Sequence, residues 1–303
     1  MNKLKLLLVS LAILLSHNFT MGQSSKDSKK EKSAIKSALN AFKFRSVGPA
    51  FMSGRIADIA IDPKNENVWY VAVGSGGVWK TENAGTTWTP LADNMPFYST
   101  GCITIDPHNN ASIWLGTGEN VGGRHVGIGH GVYHSSDGGK SWKDMGLKKS
   151  EHISKIIVHP NDPNTVWVAS QGPLWSAGGE RGLFMTTDGG KSWKNTLEIN
   201  EWTGVTDLVI DPTNPDVLYA ASWQRHRNVA ALMGGGPGTS LYKSVNGGKS
   251  WFKIDNGLPS SNMGKIGLAI SPMKPNVLYA AIELDRRKGA VYRTENSGGS
   301  WKR

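Results

Sequence analysis

Apolar residues along this chain gather in short runs between glycine, proline and asparagine clusters, and the runs return in a fixed order. A first run ends in a proline turn: IADIAIDP, GCITIDP, ISKIIVHP, VTDLVIDP and IGLAISP. A second follows (VWYVAVG, SIWLGTG, TVWVAS, VLYAAS, VLYAAI), then a third (GVWKT, GVYHS, GLFMT, SLYKS, AVYRT). Short β-branched and aromatic runs bounded by turn residues read as strands. The third run leads into the motif [S/T]-x-[D/N]-x-G-x-[S/T]-W, as TENAGTTW, SSDGGKSW, TTDGGKSW, SVNGGKSW and TENSGGSW, whose tryptophan opens a fourth run. Those tryptophans, Trp88, Trp142, Trp193, Trp251 and Trp301, are spaced 54, 51, 58 and 50 apart. Self-similar strands with a period near fifty predict an all-β protein, a β-propeller of four-stranded antiparallel blades.

The acidic position of the motif is Asn83, Asp137, Asp188, Asn246 or Asn296. A general acid or base does not survive exchange of Asp for Asn, whereas an acceptor for backbone N–H groups does. The motif therefore reads as a turn between third and fourth strands, with the glycine two residues later supplying a positive φ. The same logic assigns the recurring tyrosines (Tyr70, Tyr219, Tyr279 and Tyr133, Tyr242, Tyr292) to the scaffold and leaves Tyr98 as a loop aromatic.

Composition changes this picture mainly at the N-terminus. MNKLK is basic, LLLVSLAILL (Leu6–Leu15) is apolar, and TMG precedes Gln23. Ten apolar residues fall short of the about 20 that a spanning helix needs. The expectation is a cleaved secretory signal over 1–22, a basic polar linker over 23–41 and the propeller over 42–303, with blades ending near the five motif tryptophans. The protein is thus expected outside the inner membrane: periplasmic, outer-membrane-associated or secreted. No transmembrane segment is expected. Half of the net charge of +10 falls in residues 1–40, where seven lysines face Asp27 and Glu31, so the basic balance gives no reason to expect nucleic acid. Cys102 is the only cysteine, which excludes an internal disulfide. The histidines of RHVGIGH have no ligand spacing, and no metal or other cofactor is expected.

The motif resembles the Asp-box (BNR) repeat of sialidases, sortilin/Vps10 domains and xyloglucan-active glycosidases. FRSVGPAFMSGRI, GTGEN, GPLW, GGERGLF, GGPG and GKIGLA are similar to segments of exported bacterial Vps10/sortilin-like proteins often labelled glycosyl hydrolases. The resemblance covers residues 42–303 and implies a propeller; it is far less specific for function. Sortilin-like domains imply peptide or protein ligands in the channel.

In a propeller the motif turns share one face with the proline turns, and the connections between second and third strands open on the other. Those connections differ strongly between repeats, and variable loops on a rigid scaffold are where binding resides. They carry Glu119, Arg124, His125, His130, Trp175, Arg181, Trp223, Arg225, His226, Glu283 and Asp285. Arg55, at the start of the first inner strand, is expected to point toward the channel. The candidate ligand residues are Arg55, Glu119, Arg124, His125, Trp175, Arg181, Arg225, His226 and Glu283. The ligand class they suit is a peptide, protein or carbohydrate.

Glycoside hydrolysis is the competing reading, and it requires two carboxylates across a cleft. The likeness to xyloglucan-active enzymes places a catalytic Asp directly after the second strand of the first blade, where this chain has Gly74; in those enzymes the partner carboxylate lies in a second propeller. Glu119, Glu201, Asp207 and Glu283 remain as unpaired acids. The reading is therefore an exported binding propeller, with a sialidase- or xyloglucanase-like hydrolase as the alternative. The chain stops just after the fifth motif. Either FKFRSV (42–47) closes a five-bladed ring, or these blades are the N-terminal part of a larger propeller with further domains beyond Arg303. The second is favoured.

Overall fold

A computed structural model describes residues 55–285 and 288–303. The expected signal, the linker and FKFRSV lie outside the described residues. Blade 1 is an antiparallel sheet of β1 (Ile56–Ile61), β2 (Trp69–Val73), β3 (Gly77–Thr81) and β4 (Thr89–Pro90). Blade 2 is β5 (Thr100–Asp106), β6 (Asn109–Thr117), β7 (Val132–Ser135) and β8 (Lys143–Asp144). Blade 3 is β9 (Ile153–His159), β10 (Asp162–Ser170), β11 (Gly182–Thr186) and β12 (Lys194–Leu197). In blade 4, β13 (Thr203–Ile210) and β14 (Leu218–Gln224) are separated from β17 (Leu241–Ser244) and β18 (Phe252–Lys253) by a hairpin of β15 (His226–Arg227) and β16 (Leu232–Met233). Blade 5 holds β19 (Ile266–Ile270), β20 (Leu278–Ile282) and β21 (Ala290–Thr294); its fourth position is the single bridge Arg293–Lys302. The expected four-stranded blades are present, except that each fourth strand begins after the motif tryptophan rather than at it.

The Asp-box turns close locally. Asp188 Oδ1 accepts the amides of Lys191 (2.9 Å) and Ser192 (3.0 Å), and Thr186 Oγ1 donates to it at 2.7 Å. Asn83, Asp137, Asn246 and Asn296 likewise accept the amides of Thr87, Ser141, Ser250 and Ser300 at 2.8–3.0 Å. The Ser141 hydroxyl and amide and the Ser135 hydroxyl pull the Asp137 carboxyl down to about 2. The box glycines sit at φ 89° (Gly85), 87° (Gly139), 83° (Gly190), 77° (Gly248) and 86° (Gly298), a region that penalises any Cβ.

Consecutive first strands β1, β5, β9, β13 and β19 adjoin one another around a channel. Most carry a bulge near the mouth, at Ile56/Asp58, Thr100/Cys102 and Val205/Asp207 among others. Acidic side chains on two of the bulged strands bond the next blade: Asp58 Oδ2 accepts the Ile103 amide (3.1 Å) and Asp207 Oδ2 the Leu268 amide (2.7 Å). Burial raises the Asp207 carboxyl above its ordinary value. Asp207 is thus tied into the scaffold rather than loose. Cys102 is buried in β5, and that burial pushes its thiol far up.

Between blades the second strands form the core. The last six residues of β10 are buried throughout, as expected of a strand sandwiched between two neighbouring sheets. At the two ends the pattern changes. In β20 buried and exposed residues alternate, and in β1 Ile56, Ile59 and Ile61 are at least half exposed. Among the described residues, one face of blade 1 and one of blade 5 have no sheet against them.

Candidate functional site at the channel mouth

One backbone bond, repeated blade by blade, draws the rim of the channel. The residue after the second strand donates its amide to the residue before the first strand: Gly74 to Arg55 (2.7 Å), Gly118 to Ser99 (2.9 Å), Gln171 to His152 (2.9 Å) and Glu283 to Lys265 (3.0 Å). Gly204 and Trp223 are paired at the same level in blade 4. The β1 bulge absorbs one residue, so Ile56 and Ile266 face equivalent partners, Val73 and Ile282, and Arg55 and Lys265 become equivalent positions. Counting back from the proline turns misses this equivalence by one residue. The common GRI and GKI tripeptides were the available signal.

Glu119, one residue beyond the rim in blade 2, is almost wholly buried. Its Oε1 receives Arg55 Nη2 at 2.6 Å and the Ser75 hydroxyl at 3.4 Å; its Oε2 receives the Gly127 amide at 2.9 Å. The carboxylate lies directly over Gly74: a Cβ added there would stand 2.5 Å from Glu119 Oε1. Glycine at 74 therefore makes room for a carboxylate arriving from the next blade. The Glu119 carbonyl is bonded to His152 Nδ1 at 2.9 Å. Burial and the nearby Arg225 charge press that imidazole down to about 3, so it is neutral and donates.

Opposite this pair, Lys265 Nζ reaches from blade 5 to blade 2 and donates to the Asn120 carbonyl (2.5 Å) and to Asn120 Oδ1. Burial, then the Arg225 charge, lowers this amine to about 8. Arg55, Gly74, Glu119, Asn120 and Lys265 surround a hollow of about 190 Å³ at the mouth. Below it a cavity of about 280 Å³ runs into the channel past Asp58, Lys155, Thr206 and Asp207. The Arg55 side chain is 59% exposed while its carboxylate partner is 2% exposed, so a buried anion holds an accessible guanidinium in place.

The remaining candidates divide. Glu283 is exposed at the rim and its Oε2 accepts the Lys265 amide at 3.2 Å. Arg124, His125 and Trp175 are exposed on the loops, and His226 stacks on Trp202 with ring centres 4.0 Å apart. Arg181 and Arg225, named as candidate ligand residues, are buried in the structure. Arg225 is fully buried, donating to the carbonyls of Val121 (2.9 Å) and Gly172 (3.2 Å). Arg181 donates to Gln171, Pro173, Ser176 and Gly178 carbonyls. Arg225 fastens the long loops of blades 2 to 4 to one another and Arg181 ties the blade 3 loop to itself, and burial lowers them to about 9 and about 10. Trp223, expected in a loop, is the next-to-last residue of β14 and is buried beneath Arg225 and Lys265. Lys265 and Asn120 were missed because their contact joins positions 145 residues apart.

Comparison with known proteins agrees with this architecture. The Sortilin-Vps10 family model (Sortilin, neurotensin receptor 3) matches residues 130–233. A "Probable oligoxyloglucan-reducing end-specific xyloglucanase" of Neosartorya fischeri is 23% identical over 241 residues, 73% of this chain and 26% of that protein. The crystal structure of an ancestral GH74 enzyme superposes with TM-score 0.63 at 25% identity, covering 82% of this chain and 31% of that one. The chain is an all-β propeller similar to Vps10/Asp-box proteins and to GH74 glycoside hydrolases. It spans about a quarter of the curated relative's length. The structure of YCF48 bound to D1 peptide (TM-score 0.50, 16% identity, 85% and 70% covered) shares the fold.

Proposed function

We propose that the channel mouth of this exported propeller binds a glycan chain, with Arg55 as the charged donor that orients it. The observation that carries this reading is the Arg55–Glu119 pair, in which a buried carboxylate fixes an exposed guanidinium beside the hollow lined by Asn120 and Lys265. Preorganised donors need no further ordering when ligand oxygens arrive, which is where binding free energy is otherwise lost. The xyloglucanase relative favours a sugar polymer over a peptide. Exposed Trp175 offers an indole face on the same rim.

Hydrolysis is the second reading, and one observation favours it: a carboxylate does stand over position 74, contributed by Glu119. A hydrolase needs a second carboxylate across the ligand. Titration of the native exported protein with xyloglucan oligosaccharides, alongside an assay for new reducing ends, separates the readings. Binding without turnover that is lost in Arg55→Ala supports recognition. Turnover abolished in Glu119→Gln with affinity retained supports catalysis. No binding of these or other glycans by the wild type overturns the proposal.

A further inference from the structure

The hairpin inserted between the second and third strands of blade 4 carries an exposed surface that the channel mouth does not use. Residues 229–233 read Val-Ala-Ala-Leu-Met, and all five are exposed: Val229 to 83%, Leu232 to 41% and Met233 to 55%, with Ala230 and Ala231 between them. Five consecutive apolar residues facing water mark a contact rather than a solvated loop. The tip is held rigid. Asn228 Oδ1 accepts the amides of Ala230 (2.9 Å) and Ala231 (2.8 Å), and the Asn228 amide donates to the Ala231 carbonyl at 3.0 Å. Asparagine closes a tight turn in this way. Both legs are tied to the scaffold. The Arg227 amide donates to the Leu174 carbonyl (2.9 Å), the Gly236 amide to the Met263 carbonyl (3.2 Å) and the Trp223 indole to the Gly234 carbonyl (2.9 Å).

The surroundings of the tip are aromatic and basic. The Leu174 contact sets Trp175, 46% exposed, beside the first leg. A Cβ on Gly122 would stand 3.7 Å from Leu232 Cδ2, so the loop that carries exposed Arg124 and His125 lies beside the second leg. Lys149, also exposed, borders the Trp175 loop, its carbonyl accepting the Glu180 amide at 3.1 Å. The three loops, residues 120–134, 171–179 and 224–240, contain no Asp or Glu. Of the acids that border them, Glu119 is paired with Arg55, Glu180 accepts the Lys149 amide at 2.7 Å, and Glu201 is exposed beyond Gly178.

We propose that residues 229–233 insert into the surface of an anionic lipid bilayer, with Trp175 at headgroup level and Arg124 and Lys149 against lipid phosphates. Binding hot spots between proteins are built mainly of Trp, Tyr and Arg, while Val, Ala and Leu are under-represented there. An aliphatic tip with an indole beside it and cations around it, free of acids, instead suits the headgroup boundary of a charged leaflet. A tip of five residues gives shallow, reversible attachment. The contact goes beyond glycan recognition at the channel mouth and does not depend on it.

The test uses the full native chain. Cys102 is buried, so in Val229→Cys the introduced thiol takes a polarity-sensitive fluorophore selectively in the folded protein. Lys249→Cys, exposed in an Asp-box turn on the opposite face, is the control. With vesicles of equimolar phosphatidylglycerol and phosphatidylcholine, the label at 229 is expected to shift to the blue and the label at 249 to stay unchanged. Partitioning onto pure phosphatidylcholine should be at least about tenfold weaker. Val229→Ser combined with Met233→Ser should weaken partitioning onto the anionic vesicles at least about tenfold at unchanged charge and melting temperature, since both side chains are exposed. Absence of vesicle binding by the wild type overturns the proposal, and so does equal partitioning onto the two vesicle types. Binding that survives the double substitution also overturns it and assigns attachment to another surface, such as the lysines of residues 23–41. A label at 229 already shielded from an aqueous quencher without lipid overturns it in favour of a protein partner.

Discussion

Gly248→Ala tests whether the Asp-box glycine is retained for its backbone angle alone or also for its seat between blades. Gly248 has φ 77°, and a methyl there would stand 2.5 Å from Trp167 Nε1 and 3.1 Å from Cδ1. Trp167 is fully buried and its indole N–H is bonded to the Gly247 carbonyl at 3.2 Å, so the ring has nowhere to retreat. The matched control is Gly178→Ala, at φ 72° with nothing within 4 Å of the added carbon. Both variants bear the left-handed penalty of ~1–2 kcal/mol. Only Gly248→Ala adds an overpacking cost, ~1–3 kcal/mol and nearer the upper end for a rigid indole. At ~2–4 °C per kcal/mol for a domain of this size, the melting temperatures of the two variants should differ by roughly 6–12 °C. Thermal unfolding followed by tryptophan fluorescence reads this directly. Equal shifts for the two variants would refute the seat and leave only the φ requirement.

Arg225→Ala should destabilise clearly, since it strands the Val121 and Gly172 carbonyls at ~1–3 kcal/mol each and leaves a void, whereas Arg225→Met should cost less because its side chain refills part of that void; hydrogen exchange in residues 119–127 and 171–181 is the readout. His152 is held neutral, its folded value of about 3 lying below the unfolded 6.5. Below pH 6.5 the unfolded chain therefore binds the extra proton, and stability should fall by roughly 1.4 kcal/mol per unit toward pH 3, a slope that urea titrations should find flattened in His152→Gln. Cys102 should resist a thiol reagent in the folded protein and react fully on unfolding, because it is buried and its thiolate is strongly disfavoured.

The legible part of this protein was the part whose interactions are local. Every bond that Asp188 itself makes lies between residues 186 and 192, so the spelling of eight residues announces the turn, and its recurrence announces the blades. Arg55 and Glu119 could be named singly, one from the start of a strand and one from a long loop. Their pairing across 64 residues, and the use of the space over Gly74, could not. Loop arginines read as ligand contacts in the sequence because an arginine on a variable loop is usually exposed. Here the loops of blades 2 to 4 fold onto one another, and Arg181 and Arg225 satisfy carbonyls that would otherwise be buried without donors.

By itself the sequence determined the strand order, the period and the chemistry of each turn, since short-range hydrogen bonds and φ preferences depend only on near neighbours. The tertiary structure decided which side chains meet at the channel mouth and, among the described residues, which sheet faces have no neighbour. Bulges shift the inner strands by a residue, and blade packing brings together groups more than a hundred positions apart, as in Lys265 and Asn120.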